Sequence, residues 1–299
     1  MQKTKLPLLV LVSLCATGAF AQSTNTPTEL PPITILGTNT AAAEDLPIGP
    51  NQQPEWTARR RFTTTRVYVQ PPWQAEVEIG LDNTIPREGR PAHLLQEELE
   101  LGLPWHSQID FEEHDQNFFE GDDVTRKWHH DSCSLELGHA LAEWGKIPLN
   151  PTIKGEWKFN DGTADNYELQ LLLGDNLGPL WHYGLNFFYE QQIGSDLVRE
   201  FAGSQAISYT LIDEKLSAGL EMLFRSESDK DSRNDPENSF IIGPSVQWRP
   251  TTRTHLDVSP LFGIGAHSPN LELFVFFGID LGPGSREPEG LVPTSLRGK

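Results

Sequence analysis

Over most of this chain, apolar and polar residues alternate with a period of two. Trp73, Ala75, Val77, Ile79 and Leu81 alternate with Gln74, Glu76, Glu78 and Gly80. In a strand the two sets point to opposite faces. Leu95, Leu99, Leu101 and Leu103 likewise oppose Gln96, Glu98 and Glu100, with Glu97 as an exception on the apolar side. The pattern recurs at Ile109/Phe111 against Asp110/Glu112, and at Cys133/Leu135/Leu137 against Ser134/Glu136. It continues at Ile153/Trp157/Phe159 against Lys154/Glu156/Lys158, at Leu169/Leu171 against Glu168/Gln170, and at Leu185/Phe187/Tyr189 against Asn186/Glu190. Further strands are predicted at about 198–211, 215–225, 239–249, 252–264 and 271–281. The total is about twelve strands, each near the length a tilted membrane strand needs.

The connections alternate in kind. Tight links fall near Pro104, Asp213 and Pro250, with slightly longer ones at Glu143–Leu149 and Gly174–Pro179. Between them lie polar loops at Asn83–Pro91, Asp115–His130, Asn160–Asp165, Gln192–Leu197, Glu227–Asn238 and Gly265–Asn270. An all-β, antiparallel up-and-down transmembrane β-barrel sorts its loops this way, whereas a soluble sandwich has no reason to. Trp73, Trp105, Trp144, Trp181 and Trp248 all fall beside the short links, as membrane-interface anchors on one rim would.

The ends differ in material. Lys3 and Lys5, the apolar run Leu6–Cys15 and Ala19-Phe20-Ala21 read as a signal peptide over residues 1–21, so an exported protein of the cell outer membrane is expected. Residues 22–60 are rich in Thr, Pro, Asn and Ala and are expected to form a flexible arm. Glu29–Ile35 resembles the energy-coupling box of TonB-dependent receptors, but the chain has no room for their plug domain and longer barrel. The barrel is placed at 61–281, followed by a disordered Gly/Pro-rich tail at 282–299. Arg59, Arg60, Arg61 and Arg66 precede the first strand, and either an acidic lumen or an anionic membrane surface could hold them.

Past the signal segment the chain carries 21 basic residues against 42 acidic ones. Phosphates would be repelled, so no nucleic acid is expected as a partner. If the apolar face meets lipid, the other lines a lumen. Its candidate residues are Glu76, Glu78, Glu98, Glu100, Asp110, Glu112, Glu136, Lys154, Glu156, Lys158, Glu168 and Glu190. Such a lining favours cations or neutral solutes. The expected partners are outer-membrane lipid, the barrel-assembly machinery during insertion, and small solutes or cations.

Signs of catalysis are sparse, and the chain reads as no enzyme. His130-Asp131-Ser132 resembles the His/Ser arrangement of outer-membrane phospholipase A, but Cys133 stands where that pattern needs Asn, and no third group orients the His. His129 and His130, as neighbours on a strand, point to opposite faces. There is no Gly-rich phosphate loop and no cysteine cluster, so no cofactor or metal is expected. A lone Cys133 after the signal segment allows no intramolecular disulfide.

The stretch Gly243–Thr252, the strand Leu256–Gly263, the pieces Ile207–Thr210 and Asp213–Gly219, and the final strand together resemble the porin-like family of the meta-cleavage pathway of phenol degradation. That resemblance, over about 73–281, implies an outer-membrane barrel passing small, partly hydrophobic compounds. The alternatives are a closed structural or adhesive barrel with acidic external loops, and a secreted soluble β-sandwich that binds glycans.

Overall fold

The computed structural model describes residues 42–119, 126–194 and 196–282. The signal segment and the tail beyond Gly282 lie outside the described residues, as does the arm up to residue 41. A two-residue hairpin comes first, β1 (Pro47–Ile48) and β2 (Gln53–Pro54). Twelve long strands follow: β3 (Ala75–Ile85), β4 (Ala92–Leu103), β5 (Ser107–Phe119), β6 (Arg126–Ala140), β7 (Thr152–Asn160), β8 (Asn166–Gly178), β9 (Trp181–Gln192), β10 (Arg199–Ile212), β11 (Leu216–Ser228), β12 (Glu237–Thr251), β13 (Thr254–Gly263) and β14 (Leu271–Leu281). Each pairs antiparallel with its chain neighbours, and β14 pairs with β3, so the sheet closes into one barrel. Closure removes every unpaired edge from the wall, and the single closed sheet overturns the sandwich alternative.

The predicted loop sorting holds, with two changes of length. β5 and β6 extend into the stretch expected as a loop at Asp115–His130, and β8 runs on through Gly178, leaving only Pro179 and Leu180 to turn into β9. Outward positions form an apolar belt that includes Ile79, Leu99, Leu137, Leu169, Phe201, Phe262 and Phe277, all exposed. An exposed apolar surface of this extent in water would aggregate; in lipid it is what the wall requires. Cys133 is exposed on this belt. Glu97, the exception in the pattern, faces the same way, directly opposite Ile79 and Glu113.

Trp73, Trp105, Trp181 and Trp248 stand exposed at the short-turn rim, Trp105 at 84%. Trp144 is a correction. It curls under the barrel and packs edge-on against Trp56 and Tyr68, with ring centroids 5.9 and 5.4 Å away. The link that carries it, between β6 and β7, is long enough to fold across the opening.

A second correction concerns residues 42–74. The arm was expected to run to 60 and the barrel to begin at 61. Instead 42–74 are ordered as a finger inside the barrel, and the wall begins at Ala75. Trp56, Phe62, Val67, Tyr68 and Val69 on the finger are all buried. A segment without a repeating pattern becomes ordered here because the wall supplies its partners. The finger enters at the short-turn rim, where the Ala43 N–H donates to Asp213 at 2.7 Å. It leaves at the same rim, where the Trp73 N–H donates to the Gly102 carbonyl at 2.8 Å. Wall glycines make room for it. A Cβ on Gly174 would lie 2.2 Å from the Val67 side chain, and one on Gly102 would lie 2.0 Å from the Pro71 carbonyl.

Candidate functional site

All twelve candidate lining residues project to the inside of the wall, on the strand face opposite the apolar belt. Glu76, Glu78, Glu98, Glu100, Asp110, Glu136 and Lys154 are buried; Glu112, Glu156, Lys158, Glu168 and Glu190 are partly so. Register brings the acids into line. Asp280, Glu76, Glu100, Asp110, Glu136, Glu156, Glu168, Glu190, Glu200, Glu227 and Glu237 stand directly opposite one another on successive strands. The row starts near the short-turn end of β14 and β3 and reaches the loop end of β11 and β12. It is a spiral of carboxylates around the lumen wall, climbing from one rim to the other. Like charges directly opposed across strands repel, so the row needs cations close by.

In the lower half the protein supplies them. Asp280 pairs with Arg249, and Glu76 accepts from His255 at 2.5 Å. Glu100 meets Arg66 at 2.5 Å, and Lys154 bridges Asp110, at 3.0 Å, to Glu136. Among the described residues, the upper members of the row have one ion pair of their own, Lys158 with Glu190 at 3.7 Å, while Arg225 nearby is paired with Glu272 at 2.7 Å. The spiral therefore passes from neutralised to open negative charge as it rises.

The finger is bound by the same chemistry. Arg60 pairs with Glu78 and lies 3.5 Å from Glu98; Arg66 pairs with Glu98 at 3.0 Å; Arg61 pairs with Glu44 at 2.6 Å. So the arginine run takes up the lumen rather than the membrane surface. Burial of Arg66 works against its charge, but Glu100 and Glu98 outweigh that and hold its pKa above the ordinary value. Burial, with the Glu143 carboxylate, pushes the Tyr68 phenol up to about 12. At the tip, Glu221 accepts four hydrogen bonds from the finger and a fifth from the Ser259 hydroxyl of the wall at 3.3 Å. The Thr63 and Thr64 N–H groups donate at 3.0 and 2.8 Å, and their hydroxyls at 2.9 and 2.6 Å. Opposite the acids, Leu223, Ile241, Leu261, Phe274 and Phe276 form an apolar cluster inside the barrel, and the Arg60 guanidinium sits 4.0 Å above the Phe276 ring.

Residues of the last four strands were missed by the sequence reading: Glu221, Arg225, Arg249, His255, Asp257, Glu272 and Asp280. Their alternation with Leu220, Val258 and Leu273 carried the signal. Among the described residues, two groups have ligand atoms close enough to hold a metal ion, namely Glu76/Glu78/His255 inside and Glu113/Asp115/His130 outside. The His130–Ser132 pair does not assemble, since His130 is on the outer face and Ser132 on the inner. Ser132 instead lies 3.3 Å from His114 Nδ1, whose Nε2 is 3.3 Å from Glu112. With no exposed surface, Ser132 is out of reach of an acyl group in this arrangement.

No family model matches the sequence, and no curated protein is similar to it in sequence. Solved structures are similar in fold. An outer membrane channel from Pseudomonas putida F1 superposes with a TM-score of 0.54 at 10% identity, over 72% of this chain and 98% of that one. The NanC porin gives 0.47 at 12% identity, over 70% of this chain and 100% of that one, and the KdgM porin 0.45 at 9%, over 70% and 99%. The chain therefore has the fold of an outer-membrane β-barrel.

Proposed function

We propose that this protein is an outer-membrane channel that passes small solutes, with a preference for cationic or neutral ones, and that the finger at 42–74 stops its lumen. The carboxylate spiral, sparsely compensated toward the loop rim, is the observation that carries the reading. Facing carboxylates in a low-dielectric tube concentrate cations. The fold likeness to channels supports it, as does the resemblance to the phenol meta-cleavage porin-like family. On this reading the short-turn rim faces the periplasm and the barrel-assembly machinery inserts the chain.

Single-channel recording of the purified protein in planar bilayers under a salt gradient tests it. Cation-selective steps are expected, rare in the intact protein and frequent after deletion of residues 42–72. A deletion variant that keeps heat-modifiable migration on a gel but gives no steps sinks the channel. That result would favour the second reading, a closed structural or adhesive barrel. The buried finger at mid-lumen is the observation in favour of that alternative.

A further inference from the structure

Between the finger tip and the acid-lined wall lies a cavity of about 150 Å³. Asn186 lines it. This side chain is 1% exposed, yet neither its Oδ1 nor its Nδ2 has a hydrogen-bond partner. A buried amide with both atoms unpaired is costly, and native proteins rarely leave one without a use. Glu98, Glu112 and Glu136 border the same cavity. The cations beside them are already shared. Arg60 serves Glu78 and Glu98, Arg66 serves Glu98 and Glu100, and Lys154 serves Asp110 and Glu136. Among the described residues, the one ion-pair partner of Glu112 is the His114 ring. The next carboxylate up the spiral, Glu156, has a buried Oε1 with no partner. The cavity thus keeps surplus negative charge after its own cations are counted.

Phe188 also faces this cavity. An aromatic face beside carboxylates and a free amide oxygen suits an ammonium group on a hydrocarbon stem. The charge is taken by carboxylate and ring, and the methylenes lie on the phenyl face. A hydrated metal ion gains nothing from the ring.

We propose that the cavity at Asn186 is a binding site for small organic ammonium ions, and that the open upper half of the carboxylate spiral leads them to it. The proposal rests on the reading of the lumen as a solute path. Binding is measured at equilibrium, without flux, so the two readings fail separately.

The test is titration calorimetry of the full-length mature protein in lipid nanodiscs with 1,4-diaminobutane, against 1,4-butanediol and Mg²⁺. Saturable binding of the diamine is expected, with none for the diol and weaker binding for Mg²⁺. Asn186→Leu and Glu112→Gln should each weaken the diamine by about tenfold, the scale of one charge-assisted hydrogen bond. Asn186→Asp should tighten it, and serves as the probe if the leucine variant does not fold. No saturable heat from folded protein overturns the site, as does Mg²⁺ binding as tight as the diamine or unchanged affinity in the variants. Diamine binding by a protein that never conducts keeps the site and removes the transport reading; conduction without diamine binding does the reverse.

Discussion

At the scale of single residues, the lumen is held by a few charges that cannot be removed singly without cost. Arg66 meets Glu98 and Glu100 together. Arg66→Ala leaves both carboxylates buried without it, a loss of about 3–5 kcal/mol for a broken buried pair. The expected outcome is a lower urea midpoint for refolded barrel and more frequent channel openings. Gly184→Ala puts a methyl 2.7 Å from the Thr65 side chain and 3.2 Å from that of Val67, so its nearest neighbours are finger atoms, and it should loosen the finger while leaving the wall intact. Limited proteolysis should then cut within 42–74, where the parent resists. In the loop between β11 and β12, the Ser232 and Asp231 N–H groups donate to Asp229 at 2.7 and 2.8 Å and hold its pKa below the ordinary aspartate value. A depressed carboxylate contributes order above its unfolded pKa and loses it as pH falls through the lowered one. A carboxyl NMR titration should find Asp229 ionised below the usual range; a midpoint at or above that range would contradict the turn geometry. Much at this scale was legible. The acids on β3–β9 follow from parity, and Glu97 announced itself by breaking it. That Arg60 and Arg66 meet Glu78, Glu98 and Glu100 was not legible, because it depends on contacts between segments with no shared pattern.

At the scale of elements, the strands and their sorted loops could be read because period-two alternation is local. Their ends were less clear where polar residues continue a strand, as at Asp115, Gln116 and Asn117 of β5 and at Arg126 and Lys127 of β6. The finger was misread for a physical reason. Its sequence has neither the 2.0 nor the 3.6 period, so nothing within it specifies order. Order comes from Glu221 gathering Thr63 and Thr64, and from Gln70 donating to Glu76 and Glu100 at 2.8 and 2.9 Å. Trp144 was misplaced for the same reason, since a link tryptophan can turn toward lipid or toward a finger that local pattern does not reveal. Glu221→Gln keeps the size of the side chain but cannot accept all four bonds with equal strength. If the tip is held there, hydrogen exchange at Thr63 and Thr64 should quicken by about tenfold or more, the scale of a charge-assisted bond, while the strand amides stay protected.

At the scale of the whole molecule, the spiral exists because each strand is displaced along its neighbour as the sheet closes. Acids at different depths along their own strands thereby become adjacent. No window of sequence contains that row, since register is a property of the closed barrel. Its charge is least compensated above Glu136, so selectivity should respond most to the upper members. Glu168→Lys with Glu200→Lys should reduce cation preference more than Glu98→Lys with Glu100→Lys, measured as reversal potential under a salt gradient. Equal effects would mean that the finger's arginines do not neutralise the lower half. The two ends of the finger meet the barrel at the same rim, at Asp213 and at Gly102. On the proposed reading the lumen is corked by a bight of chain, residues 42–74, and not by a threaded strand. The wall can seal first and be stoppered afterwards, and the stopper can be drawn and replaced with no strand pairing broken, tethered throughout at Trp73.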